Sequence, residues 1–231
     1  MLDHHLRPLI DRSLDHSAKW LAQRDVSANT LTAIGLASGL IAALCIALGT
    51  FWLALIFAFA SRLLDGLDGA VARASSPSAL GGYLDILADF TFYAALPVGF
   101  VLFNPALNGI GGTILLASFF INSASFLSYA ILAEKFQHET RLNGKKSHFH
   151  ATGLIEGTET IAFFAICLLW PASFQWLAPV FATLTLWTVG SARALRGAYS
   201  GKPAKVRANI RGSIAPAFVR RSAPSLWYVH D

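Results

Sequence analysis

Six stretches of this chain stay apolar for about the 20 residues that a bilayer-spanning helix needs, near residues 31–48, 52–72, 80–103, 110–133, 153–170 and 176–195. They predict an all-α fold, an integral membrane bundle of six transmembrane helices. The composition agrees: 55% of the 231 residues are hydrophobic and 13% charged, far from the balance of a water-soluble domain. The two cysteines, Cys45 and Cys167, fall inside predicted spans without metal-ligand spacing, so they read as packing residues.

The net charge of +5 gains meaning when mapped onto the spans, because Lys and Arg in short loops set orientation. Arg7, Arg12, Lys19 and Arg24 precede the first span, Arg73 lies between the second and third, and Lys135, Arg141, Lys145 and Lys146 lie between the fourth and fifth. Arg193, Arg196 and six further basic residues close the chain. The alternate loops, near 49–51, 104–109 and 171–175, carry no charge. Both termini are therefore expected in the cytoplasm. Positive-inside topology explains the basic residues, and without a recognisable reading motif no nucleic-acid partner is expected.

Before the first span, Leu2, Leu6, Leu9, Ile10, Leu14 and Leu21 recur near helical spacing among His, Arg and Lys, as in an amphipathic helix on a membrane surface. The first apolar run lacks a cleavage signal at the right distance and is expected to be a retained span. Residues 198–231 are basic, contain Pro203, Pro216 and Pro224, and have no sustained period, which predicts a flexible cytoplasmic tail attracted to anionic lipid. The expected domains are thus 1–30, a juxtamembrane helix; 31–197, the six-helix domain; and 198–231, the tail.

Against this apolar background stands DGLDGAVARASSPSALGGYLDILAD, residues 65–89. An ionised carboxylate at the bilayer centre costs about 2.5–3.5 kcal/mol on insertion scales, so Asp65, Asp68, Asp85 and Asp89 need partners or a wet cavity. Helical geometry sets Asp65 and Asp68 roughly 60° apart on one helix and Asp85 and Asp89 roughly 40° apart on the next, so each pair shares a face. The short loop at Ser75, Ser76 and Pro77 predicts antiparallel neighbouring helices that bring the faces together. Four carboxylates make a hard oxygen cage suited to Mg²⁺ or Mn²⁺. Such a cage has room for two ions about 3.5–4 Å apart, as used in phosphoryl transfer. Gly66, Gly69, Gly81 and Gly82 allow close backbone approach of a phosphate, and Arg73 can pair with a diphosphate.

Asp65, Asp68, Gly69, Ala72, Arg73, Gly81, Asp85 and Asp89 fit D-x-x-D-G-x-x-A-R-x7-G-x-x-x-D-x-x-x-D, which resembles the signature of the CDP-alcohol phosphatidyltransferases. The resemblance implies transfer of a phosphatidyl group from a CDP-linked lipid, with CDP-diacylglycerol as the expected donor, to a small alcohol with release of CMP, in phospholipid synthesis at the inner (cytoplasmic) membrane. It implies that Asp65, Asp68, Asp85 and Asp89 hold the metals and that Asp89 is also the catalytic base on the acceptor hydroxyl. Gly69, Ala72, Arg73 and Gly81 would shape the nucleotide pocket. Relatives often carry P-N-x-x-T before the first span; residues 27–32, SANTLT, resemble it without the proline, which extends nucleotide contact to Asn29 and Thr32. A homodimer is expected on the same ground.

The acceptor is less legible. Inositol-phosphate-using relatives carry arginines near the start of the fifth span, where this chain reads GLIEGTETIAFF with Glu156 and Glu159. KKSHFHATGLIEGTET resembles a branch of bacterial inner-membrane members. Negative charge at a helix start suits the dipole; Glu159 is also a candidate for orienting an acceptor hydroxyl or ammonium, and Arg193 for an acceptor phosphate. His148 and His150 lack further ligands and read as solvated. Two other functions share some features. Membrane prenyltransferases also use aspartate pairs and Mg²⁺, but with about nine spans and well-separated motifs. A non-catalytic divalent-ion pathway would spread acidic residues through the bilayer depth, and an inactive relative would typically have lost one of the four aspartates, none of which is missing here.

Overall fold

The computed structural model describes residues 16–75, 77–142 and 157–190, with backbone alone for 129 and 132–142. All of them belong to one compact unit. Among them every regular element is helical: α1 (Ala28–Ala47), α2 (Phe51–Ala74), α3 (Ala79–Phe103), α4 (Pro105–Leu142), α5 (Gly157–Leu169), a 3₁₀ turn (Pro171–Ser173) and α6 (Phe174–Gly190). A short helical stretch, 16–22, precedes α1.

Local chemistry sets the boundaries. The Ser27 hydroxyl caps α1 by accepting from the Thr30 N–H at 3.2 Å, and Ser78 caps α3 by accepting from the Gly81 N–H at 2.9 Å. α1 ends in a Schellman turn. Gly49 takes φ +75°, its N–H donates to Ile46 O at 2.9 Å, and the Thr50 N–H donates to Cys45 O at 2.8 Å. Here the chain reverses into α2. Between α3 and α4 the uncharged loop expected over 104–109 shrinks to Asn104 alone. Asn104 Oδ1 accepts from the Leu107 N–H at 3.1 Å, and Pro105 is preset for the first helical turn, so the new helix starts at once.

Three helical segments are long and apolar enough to cross a membrane: Ala28–Ala47, Ala79–Phe103 and Pro105–Ser128. The pair Gly157–Leu169 and Pro171–Gly190 passes together with a 118° bend, which makes four. α2, expected as a span, does not qualify because Arg62, Asp65, Asp68 and Arg73 occupy its second half. The outer surface is apolar as lipid requires: Trp52, Ile110, Phe120, Trp176 and Trp187 are largely exposed.

α1 is the spine of the first three helices and packs along both α2 and α3, while the backbones of α2 and α3 stay apart and meet through long side chains, Phe51 on Phe103 and Arg62 on Asp89. The sequence predicts α2 and α3 as antiparallel neighbours that bring their aspartate faces together; Asp65, Asp68 and Asp85 do converge, with a cleft between the two backbones. Facing carboxylates repel, and space between them is what a charged ligand needs. Away from the cleft the helices meet through aromatic rings. Phe100 stacks on Phe174 at 4.2 Å, Phe163 stacks on Phe181 at 4.3 Å, and Phe92, Leu96 and Leu115 are buried with them. Cys45 and Cys167 are free and buried, as packing residues should be. Of the expected surface helix only the end is described: Ala18 is buried, and Leu21 and Ala22 pack beside it with Leu31, Ala70 and Val71, at the ends of α1 and α2 that carry the site.

Candidate metal and nucleotide site

The 3.6-residue period puts Asp65 and Asp68 on the cleft face of α2, and Asp85 comes across from α3. One carboxylate oxygen from each of the three lies within 4.8 Å of the other two. Asp68 is buried, Asp65 half-buried and Asp85 exposed, so the group opens from the protein interior outward. Three carboxylates this close repel one another, which a bound cation would relieve, and a set of oxygen donors without sulfur or imidazole suits Mg²⁺ or Mn²⁺. These residues fit the metal that the motif implies.

Asp68 is held from a third helix. Thr32, buried in the second turn of α1, donates its hydroxyl to Asp68 Oδ2 at 2.5 Å. A residue expected at the nucleotide thus holds a carboxylate of the candidate metal group, as outer partners of metal ligands do. Asn29, one turn earlier, reaches the start of α3: a Cβ at Gly81 would lie 3.1 Å from Asn29 Oδ1 and 3.0 Å from Ser78 Oγ. Any side chain at Gly81 would crowd this junction. On α2 a Cβ at Gly69 would lie 3.4 Å from Arg73 Nη1, so the guanidinium folds back along the helix over the glycine. Thr32 thus touches the aspartates directly, Asn29 meets the α3 start at Gly81, Arg73 lies over Gly69, and Ala72 lies one turn beyond Asp68 on α2.

Asp89, one turn beyond Asp85, is not part of the group of three. Its Oδ1 accepts from Arg62 Nη1 at 2.6 Å, and the same nitrogen lies 3.7 Å from Asp65 Oδ2. The Arg62 guanidinium carbon sits 3.9 Å over the Phe92 ring. Arg62 is the site residue that the sequence does not single out, because it lies inside an apolar window and not in a loop. Its signal was present: a basic residue three positions before Asp65, hence on the same helix face.

Glu159 lies in the first described turn of α5, half-buried, in a helix that packs on α2. Arg193, Glu156, Lys145, Lys146, His148, His150, Arg196 and the basic tail lie outside the described residues, as do residues 1–15; for Lys135 and Arg141 only the backbone is described.

A carboxylate cage built by two helices, steadied by a third and bordered by glycines and an arginine, is the equipment of an enzyme that works on a diphosphate. The chain belongs to the CDP-alcohol phosphatidyltransferase family, whose sequence profile matches residues 25–189. It is 42% identical over 184 residues to the inner membrane protein YnjF of Escherichia coli K12, covering 80% of this chain and 89% of that one. It is also 36% identical over 106 residues to the archaetidylinositol phosphate synthase of Pyrococcus horikoshii, covering 46% and 54%. Among solved structures, the Mycobacterium tuberculosis phosphatidylinositol phosphate synthase PgsA1 with CDP-DAG bound matches with a TM-score of 0.58 at 20% identity, covering 77% of this chain and 94% of that one. The same synthase in complex with manganese and citrate matches with a TM-score of 0.54 at 20% identity, covering 76% and 88%. At that identity the likeness establishes the fold. Family membership separates this protein from the aspartate-rich prenyltransferases and from a non-catalytic ion binder.

Proposed function

We propose that this enzyme moves a phosphatidyl group from CDP-diacylglycerol to a small alcohol and releases CMP. The observation that carries the reading is the convergence of Asp65, Asp68 and Asp85 within 4.8 Å, with Asp89 one turn further along α3. PgsA1, which shares the fold, has been solved with CDP-DAG and with manganese, in keeping with this donor and this ion class.

In this reading Asp65, Asp68 and Asp85 hold a divalent ion, Mg²⁺ or Mn²⁺, and Asp89 contributes to a second. Bound metal supplies positive charge that offsets the diphosphate and makes CMP a better leaving group. Arg73 and the backbone at Gly69 and Gly81 seat the diphosphate, with Ala72 and Asn29 bordering the nucleotide. Asp89 takes the proton of the acceptor hydroxyl as its oxygen bonds to the phosphorus bearing the diacylglycerol. The bridging P–O bond breaks, and CMP leaves with its electron pair. Glu159 orients the acceptor from the start of α5, and Arg193 contributes if the acceptor carries a phosphate.

The same reading takes all six helices as spans, with the site and both termini in the cytoplasm and a homodimer as the working form. The chain bends by 118° between α5 and α6, and the reading takes this bend as the turn between the fifth and sixth spans. The loops between α1 and α2 and between α3 and α4 carry no charge, as outer loops should.

The test is CMP release by purified full-length protein from CDP-diacylglycerol with Mg²⁺ or Mn²⁺, across glycerol 3-phosphate, serine, inositol phosphate and choline. Release that requires metal and one of these alcohols supports the reading and names the acceptor. Failure to bind CDP-diacylglycerol in the presence of metal would sink it.

A further inference from the structure

We propose that Arg62 is a positioning residue: a fixed cation that orients Asp89 as the base and competes with bound metal for the charge of Asp65 and Asp89. The inference rests on the roles assigned above to these aspartates.

Four features of the contact support it. The Arg62 side chain is 10% exposed, so its permanent charge is out of water and must be offset locally. One nitrogen, Nη1, serves both Asp89 at 2.6 Å and Asp65 at 3.7 Å and so ties the base on α3 to a metal ligand on α2 across the cleft. The seat beneath the guanidinium is rigid. Phe92 is 2% exposed, three residues after Asp89 on the same face of α3, and backed by Gly39, where a Cβ would meet the ring at 2.7 Å. Finally, Arg62 Nη2 donates to Ser61 Oγ at 3.3 Å, a further contact that fixes the guanidinium plane.

Arg62 therefore exerts two effects of opposite sign. As a cation beside Asp65 and Asp89 it competes with a divalent ion for their charge and repels one held by the group of three. As a planar fork stacked on Phe92 it fixes the Asp89 carboxylate for proton transfer, which an ammonium would do less well. A residue that only stabilised the fold would not weaken metal binding while aiding turnover.

The experiment measures Mn²⁺ binding by the loss of the free-ion EPR signal, together with kcat and KM for CMP release, in full-length wild type, Arg62→Met and Arg62→Lys. Arg62→Met is expected to bind Mn²⁺ at least about tenfold more tightly, since a nearby like charge is gone. Its kcat is expected to fall about 10–100-fold, the usual cost of losing an outer partner of a site. Arg62→Lys is expected to keep wild-type Mn²⁺ affinity with a reduced kcat. Unchanged Mn²⁺ affinity in Arg62→Met, or affinity and kcat falling together, would overturn the inference. Should Arg62→Met fail to fold, wild-type kcat in Arg62→Lys would overturn it. Wild-type protein that binds no Mn²⁺ would instead count against the metal site itself.

Discussion

The two ends of α3 follow opposite rules. From Ala79 to Asp89 the helix borders a cleft, meets α2 through charged side chains and leaves Asp85 exposed. From Phe92 to Phe100 it is packed on both sides, and Phe92, Leu96 and Phe100 are fully buried. Lipid is as apolar as a phenylalanine ring, so helices in a membrane associate by close packing. The aromatic end supplies that packing. At the cleft end it is given up for charge, and what remains holds carboxylates where they repel. The lesson is that the fold is anchored at one end so that the other can stay poorly packed and receptive.

Substitutions at the two ends should therefore separate activity from stability. Asp68→Asn is expected to reduce metal-dependent CMP release to background while the unfolding midpoint without metal stays level or rises, because a buried like charge has gone. A lower midpoint would mean that Asp68 is structural. Phe100→Ala should do the reverse. It removes the ring stacked on Phe174 and is expected to cost about 3–5 kcal/mol of stability. Mn²⁺ affinity measured below the transition should be unchanged, and a large drop in that affinity would tie the two ends together.

Thr32→Val tests the link from α1. Loss of the hydroxyl that orients Asp68 should weaken Mn²⁺ affinity or turnover about 10–100-fold. An unaltered metal response would leave Thr32 to the nucleotide, its sequence-based assignment. Glu159→Gln should have the smallest effect, a raised KM for the acceptor with the KM for CDP-diacylglycerol preserved. If neither constant moves, Glu159 serves the α5 dipole alone.

The same contrast governs what could be read in advance. The packed regions were legible because hydropathy and turn chemistry are local: each of the six apolar windows holds a helix, with starts that differ by a few residues where Asn104 and Pro105 or the 3₁₀ turn restart the chain. The aspartates were legible because helical period alone puts Asp65 with Asp68 and Asp85 with Asp89 on shared faces. The relation between helices was not. Nothing local says that α1 packs on both α2 and α3 and keeps them apart, or that Thr32 turns to Asp68. Arg62 escaped for a related reason, since its partner Asp89 is 27 residues away and its seat, Phe92, looks like any other core ring.

The central claim is that the cleft end performs phosphatidyl transfer with Asp89 as base. The direct measurement is CMP release by Asp89→Asn beside wild type, with CDP-diacylglycerol binding followed in parallel. The account predicts that the variant binds the donor about as well as wild type and releases no CMP above background. Release at the wild-type rate from Asp89→Asn would contradict it.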